Sequence, residues 1–186
     1  MQITVREDQY SNWEFRKLRR GKMKISVFRI DDRLIHGQIV TKWIEAANAS
    51  KILVVDDKAA ADNMQQMILK LAVPSGIELE ILNKENALQR IREDKSSQNC
   101  LMLMRNPAEA NAFVDMGFQI DKIIVGNISN RKSTVGRTKL LDYIWVEPQD
   151  VEAIRSLAAK GIKLEVKAIP EEKAKDPLEL IAKKIG

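Results

Sequence analysis

Histidine and cysteine are almost missing from this chain, which carries one of each among 186 residues, His36 and Cys100. A single thiol excludes an intrachain disulfide framework. One His and one Cys also cannot furnish the ligand set of a structural zinc site, so no metal is expected. Cys100 lies inside the apolar run Cys100-Leu-Met-Leu-Met104, where it reads as a small buried hydrophobe suited to a reducing interior. Aromatics make up only 5%, too sparse for the basic-aromatic stripe on which nucleic-acid bases stack. No apolar run approaches the roughly 20 residues that a membrane-spanning helix needs, and no signal-peptide core opens the chain. The glycines form neither a dinucleotide fingerprint nor a Walker A loop: Gly-Lys occurs only as Gly21-Lys22. No tightly held nucleotide or other cofactor is expected.

What is present is a soluble, globular balance of 45% apolar and 31% charged residues, of a length that suits one domain. The net charge of +5 raises the question of nucleic acid. Much of the surplus sits in the first 22 residues, where Arg6, Arg16, Lys17, Arg19, Arg20 and Lys22 outnumber Glu7, Asp8 and Glu14. The rest is nearly balanced, which speaks against a dedicated polyanion surface. Residues 1–22 have no sustained apolar period and end in Arg-Arg-Gly-Lys before Met23. They read as an N-terminal extension, disordered or non-native, ahead of a domain at 23–186.

From Met23 the chain alternates strand and helix. Strands are expected at Ile25–Ile30, Lys51–Asp56, Ile77–Leu82, Cys100–Met104, Lys122–Val125, Tyr143–Val146 and Ile162–Ala168, the last an edge strand because its charges alternate. Between them, apolar residues recur at helical spacing: Ile39, Val40, Trp43, Ile44 and Ala47; Met64, Met67, Ile68, Leu71 and Ala72; Ala87, Leu88 and Ile91. Further sets are Val151, Ile154, Leu157 and Ala158, then Leu178, Ile181, Ala182 and Ile185. Asn106-Pro107 reads as a cap and first turn. Trp43, Met64 and Met67 are expected in the core. The pattern is that of a single doubly wound α/β domain with helices on both faces of a mostly parallel sheet.

In such a fold, ligands collect where strands hand over to helices. The stretch Arg29-Ile-Asp-Asp-Arg-Leu-Ile-His-Gly-Gln38 lies at the first such junction and holds the one histidine. If the first, fourth and fifth strands are parallel, His36 shares a rim with Arg105 and with the polar loop 126–136. That loop offers Asn127, Ser129, Asn130, Arg131, Lys132 and Ser133. A cationic, hydroxyl-rich setting around one imidazole suits a phosphoryl group. Neutral imidazole is a nucleophile near neutral pH; one ring nitrogen attacks phosphorus while the other keeps its proton and needs an acceptor, Asp31 or Asp32. Arg33 and backbone N–H groups at the helix start would hold the phosphoryl oxygens, and Gly37 would leave them room. Asp31 and Asp32 also suit helix capping, and Asp56-Asp57 reads as a cap rather than a magnesium site.

The order Arg-x-Asp-Asp-Arg-Leu-Ile-His-Gly-Gln, followed by Ile39-Val40-Thr41-Lys42-Trp43, closely resembles the signature of the IIB subunit of the mannose/fructose/sorbose family of the phosphoenolpyruvate-dependent sugar phosphotransferase system. The resemblance covers 23–186. It implies a mostly parallel seven-stranded sheet and a phosphocarrier that takes a phosphoryl group from phospho-IIA onto His36, at Nδ1. The group then passes to a sugar entering through the membrane components IIC and IID. The resemblance thus implies a protein-phosphohistidine–sugar phosphotransferase in the cytoplasm, peripherally associated with the membrane permease. His36 is then the phosphorylated nucleophile, Asp31 and Arg33 act beside it, and Asp32, Leu34, Ile35 and Gly37 complete the phosphoryl-binding loop. By the same resemblance the expected sugar is of the mannose, fructose, sorbose or N-acetylgalactosamine class. Arg29, Arg33 and Lys42 are expected to dock an acidic face of IIA, and a homodimer is a further option. One departure stands out: Gly126-Asn127-Ile128-Ser129-Asn130 lacks the paired glycines common after the fifth strand, and Gly136-Arg-Thr-Lys139 carries a shifted basic residue. The competing reading is a nucleic-acid-binding α/β protein relying on the basic Arg16–Lys22 run.

Overall fold

A computed structural model describes residues 23–129 and 135–185; the expectation for residues 1–22 and those for Asn130, Arg131, Lys132 and Ser133 lie outside the described residues. Eight strands are present among the described residues: β1 (Lys24–Ile30), β2 (Lys51–Val55), β3 (Glu78–Leu82), β4 (Asn99–Met104), β5 (Lys122–Val125), β6 (Thr138–Leu141), β7 (Ile144–Val146) and β8 (Lys163–Val166). Six form one sheet in the order β3-β2-β4-β1-β5-β8, with every pair parallel. Parallel neighbours need crossover connections, which the helices supply.

The helices are α1 (π-helical over Ile39–Trp43, then α-helical over Ile44–Ala46), α2 (Asp57–Ala61), α3 (Asn63–Leu71), α4 (Lys84–Glu93), α5 (Pro107–Asp115), α6 (Pro148–Ala159) and α7 (Pro177–Ile185). Side chains along each strand alternate between two buried clusters. Phe28, Ile30, Leu53, Val55, Cys100, Met102, Met104, Ile123 and Val125 pack with α4–α7. Ile52, Val54, Leu101, Leu103 and Ile124 pack with α1–α3. Helices therefore cover both faces, as the unbroken apolar strands require. Asn106 caps α5, its Oδ1 accepting from the Glu109 N–H at 2.9 Å, with Pro107 in the first turn.

Two expectations are corrected. The Tyr143–Val146 strand does not join the sheet, which has six strands instead of seven. It becomes β7, paired antiparallel with β6 in a hairpin that touches the body through the Ile128–Ile144 bridge. A two-residue connection between β6 and β7 favours a local hairpin over a sheet-crossing route. The second correction concerns α3, where Met64 and Met67 are exposed instead of buried, with Leu69 its one buried residue. The sheet beneath is already filled by Ile39, Trp43, Ala47 and Ala59. Trp43 is in the core as expected, and β8, with its alternating charges, is an edge.

Candidate functional site

β1 lies between β4 and β5, so the loops leaving these three strands converge on one rim. Connections run left from β1 toward β2 and right from β4 toward β5, which makes this the topological switch point of the sheet. The rim is stitched by backbone bonds: Asp31 N–H donates to Met104 O at 2.8 Å, Asp32 N–H to Asn127 O at 2.9 Å, and Gly126 N–H to Ile30 O at 2.8 Å.

The loop after β1 turns tightly, with Leu34 N–H donating to Asp31 O at 3.0 Å. Leu34 adopts a left-handed φ of 56°, a conformation costly for a branched side chain. Burial offsets that cost, since Leu34 and Ile35 both pack in the core over α1–α3. Two apolar anchors thus hold the backbone while His36 faces outward, 15% exposed. Gly37 is exposed, and an added Cβ would meet nothing within 4 Å, so nothing in the described chain itself demands glycine there. His36 leads directly into α1, whose opening carries no acidic side chain, leaving the positive end of the helix dipole uncompensated.

His36 Nε2 donates to Asp31 Oδ2 at 3.0 Å. A carboxylate only accepts, so Nε2 carries a proton, and in the neutral imidazole the lone pair sits on Nδ1, which no hydrogen bond engages among the described residues. Asp31 is fully buried and held from both sides. Its Oδ2 also accepts from Arg29 Nε at 3.2 Å and NH2 at 2.9 Å, and its Oδ1 accepts from Arg33 N–H at 3.2 Å and Nε at 3.3 Å. Burial pushes the Asp31 carboxyl upward, but the His36 hydrogen bond and the charges of Arg29, His36 and Arg33 outweigh it, and its pKa lies below the ordinary value. Arg33 reaches on to Gln38 Oε1 at 3.3 Å.

Arg29 is the residue that sequence reasoning misplaced. It is 0% exposed and cannot dock a partner. It lies beneath the loop, its guanidinium 4.5 Å from the Trp43 ring centroid and donating to Lys167 O at 2.8 Å and Ala168 O at 3.3 Å. Burial lowers its pKa, with Asp31 opposing that shift. A Cβ on Gly126 would stand 2.2 Å from Arg29 Cζ, so glycine at the end of β5 is what lets the guanidinium in.

Asp32 does not serve the histidine. Its carboxylate accepts from Asn127 Nδ2 at 2.6 Å and from Ser129 N–H and Oγ at 2.9 and 2.7 Å, tying the loop after β5 to the loop after β1. Arg105 donates to Asp32 O at 3.1 Å and pairs with Asp56 at 2.7 Å, while Asp56 caps α2 as the sequence suggested. Beside the loop a cleft of about 400 Å³ is lined by Asp32, Arg33, Arg105, Ser129 and Arg137 among others. Arg137, not singled out from the sequence as a site residue, braces it through Ser129 O and Trp145 O. No group of three or more His, Cys, Asp or Glu side chains among the described residues is placed to hold a metal ion.

The family model for the PTS system sorbose subfamily IIB component matches residues 25–185. The chain belongs to that family. It is 32% identical over 165 residues to the sorbose-specific EIIB component of Klebsiella pneumoniae, covering 88% of this chain and 96% of that protein. It is also 32% identical over 162 residues to the mannose-specific EIIAB component of Escherichia coli K12, covering 87% of this chain but only 49% of that longer protein. Among solved structures, the IIBSor domain of the Klebsiella pneumoniae sorbose permease superposes with a TM-score of 0.78 at 29% identity, covering 87% of this chain and 98% of that one. An N-acetyl-galactosamine-IIB component from Streptococcus pyogenes gives 0.77 at 26% identity, with coverages of 84% and 96%. This sorbose-subfamily IIB protein thus shares the open α/β architecture of its relatives. No helix among the described residues is long and apolar enough to cross a membrane.

Proposed function

We propose that this IIB protein is a phosphocarrier in which His36 Nδ1 takes a phosphoryl group from a phosphohistidine on a IIA component and passes it to a sugar entering through IIC and IID. The observation that carries the reading is the 3.0 Å hydrogen bond from Nε2 to Asp31, because it fixes the tautomer that leaves a lone pair on Nδ1. That lone pair attacks phosphorus as the donor's N–P bond breaks, and the bonding electrons return to the donor imidazole. The phosphorylated ring carries positive charge, which the Asp31 carboxylate stabilises. Arg33 and the N-terminal end of α1 meet the phosphoryl oxygens. In the second transfer a sugar hydroxyl oxygen attacks phosphorus, the N–P electrons return to Nδ1, and the hydroxyl proton is released.

Relatives named for sorbose, mannose, fructose and N-acetylgalactosamine support an acceptor in that class of sugars. The protein works in the cytoplasm, peripherally attached to the membrane components. Of the expected docking residues, Arg33 and Lys42 remain on the rim; Lys42 is exposed and pairs with Glu171 at 3.1 Å. The test is phosphoryl transfer from phosphorylated IIA. The wild-type protein is expected to acquire an acid-labile, alkali-stable label, and His36→Ala none, with its fold intact by circular dichroism. Persistent labelling of that variant would sink the proposal.

A further inference from the structure

Helix α3 turns its apolar side away from the protein. Met64, Met67, Ile68 and Leu71 follow the i, i+3, i+4, i+7 spacing of a buried helix face, yet they are 73%, 63%, 61% and 81% exposed. The opposite side gives the core only Leu69. Exposed Ala61, Ala72 and Pro74 extend the stripe at its ends. The four large side chains present on the order of 500 Å² of apolar surface, at the upper end of what a monomer leaves bare. The other exposed large apolar side chains among the described residues, Val135, Leu178 and Ile185, form no stripe of this kind.

We infer that this stripe is a homodimer interface, occupied by α3 of a second copy of the chain. A stripe of this spacing is self-complementary: two antiparallel copies related by a two-fold axis near Met67 and Ile68 set ridges into grooves along their whole length. Pairing them would bury on the order of 1,000 Å², the size at which specific interfaces begin, so a dimer with micromolar affinity is expected. Charge argues against a membrane occupant. Lys58 and Lys70 are the two cations on α2 and α3, which also carry Asp57, paired with Lys84, and Asp62, the α3 cap, so these helices form no cationic collar to draw an anionic bilayer. The stripe lies over the β2–β3 side of the sheet, on a different element from the His36 loop, and the inference does not rest on the phosphocarrier reading.

The experiment uses the full chain. Sedimentation equilibrium across micromolar concentrations should show a monomer–dimer equilibrium, and Ile68→Glu should be monomeric throughout with an unchanged circular dichroism spectrum. Cys100, the one native thiol, is buried with its pKa pushed up to about 12, so an engineered Ile68→Cys supplies the sole reactive thiol. Mild oxidation should convert that variant to a covalent dimer, whereas Glu152→Cys, on α6, should stay uncrosslinked. A wild-type chain that remains monomeric overturns the inference, in favour of a membrane if it co-floats with phosphatidylglycerol vesicles and of another protein if it does not. A dimer that survives Ile68→Glu overturns it as well, by placing the interface elsewhere.

Discussion

Asp31 carries two jobs at once, and its substitution separates them. It accepts from His36 Nε2 and it neutralises Arg29, both inside a buried site. Asp31→Asn keeps the shape but offers a weaker, uncharged acceptor that can also present an N–H to the imidazole. Labelling of His36 by phospho-IIA is expected to slow at least about 100-fold, the scale on which general acid–base and positioning groups act. The same change leaves the Arg29 charge buried beside a neutral amide, which should cost about 3 kcal/mol of folding stability by urea unfolding. His36→Ala, by contrast, removes a partly exposed ring and should cost far less, while abolishing labelling. An Asp31→Asn protein as stable as the wild type would mean that Arg29 finds its compensation in the Lys167 and Ala168 carbonyls alone. The ten-residue motif made His36, Asp31 and Arg33 legible because these groups are close in sequence as well as in space. From residue chemistry alone Asp31 and Asp32 were equal candidates to face the ring, and only the family resemblance favoured Asp31. The choice is made by Asn127 and Ser129, almost a hundred residues on, which claim Asp32 and leave Asp31 to the histidine.

At the scale of elements, strands read well and helix orientation did not. β2, β4 and β5 are buried on both sides, so each carries an unbroken apolar run that sequence displays directly, whereas β1 is interrupted by Ser26 and Arg29. Periodicity also located α3, but a helical period says only that a helix has an apolar side. Whether that side faces the sheet depends on what already fills the space beneath, here Trp43 and Ala59. The β6–β7 hairpin escaped for another reason: Thr138–Leu141 is four residues long and half-exposed, too short to show alternation. Contacts between elements were the least visible of all, and Gly126 is the sharpest case. The end of β5 meets the guanidinium from the end of β1 so closely that a methyl group has no place. Gly126→Ala is therefore expected to displace Arg29 from Asp31 and destabilise the fold by about 2–3 kcal/mol, the cost of overpacking a tight interior. The pair Gly126→Ala with Arg29→Met should be less destabilised than the sum of the two single changes, because the clash and the ion pair disappear together. Strict additivity in that double-mutant cycle would refute the contact.

Over the whole molecule, buried ion pairs dictate how stability responds to pH. Besides Asp31, a second network joins β2, β3 and α4: Lys51, 1% exposed, lies 2.8 Å from Glu80, 3.1 Å from Glu78 and 3.6 Å from Asp94, and Arg90 closes the cluster through Glu80 and Asp94. Burial raises the carboxyls of Asp31, Glu80 and Asp94, yet hydrogen bonds and neighbouring cations reverse that, so all three are depressed in the folded state. A depressed carboxylate stabilises the fold above its unfolded pKa of about 4, and that contribution is lost as pH falls through the folded value. Lys51 works with the opposite sign. Burial lowers its pKa but Glu80 and Glu78 raise it further, so its contribution is present below about 10.4 and is lost as pH rises through the folded value. Asp150, raised by burial, partly offsets the acid loss, since protonation favours its folded form. The melting temperature should therefore hold a plateau from about pH 5 to 9 and fall on both sides, as carboxylates such as Asp31, Glu80 and Asp94 are protonated on the acid side and Lys51 and Lys84 lose protons on the alkaline side. Lys51→Met isolates the network: it should flatten the alkaline fall and shift the acid fall upward in pH as Glu80 and Asp94 lose a cation. Scanning calorimetry of the two proteins between pH 3 and 11 measures both limbs, and an acid limb unmoved by Lys51→Met would show that Arg90 and the Ser96 hydrogen bonds to Asp94 hold those carboxylates without Lys51.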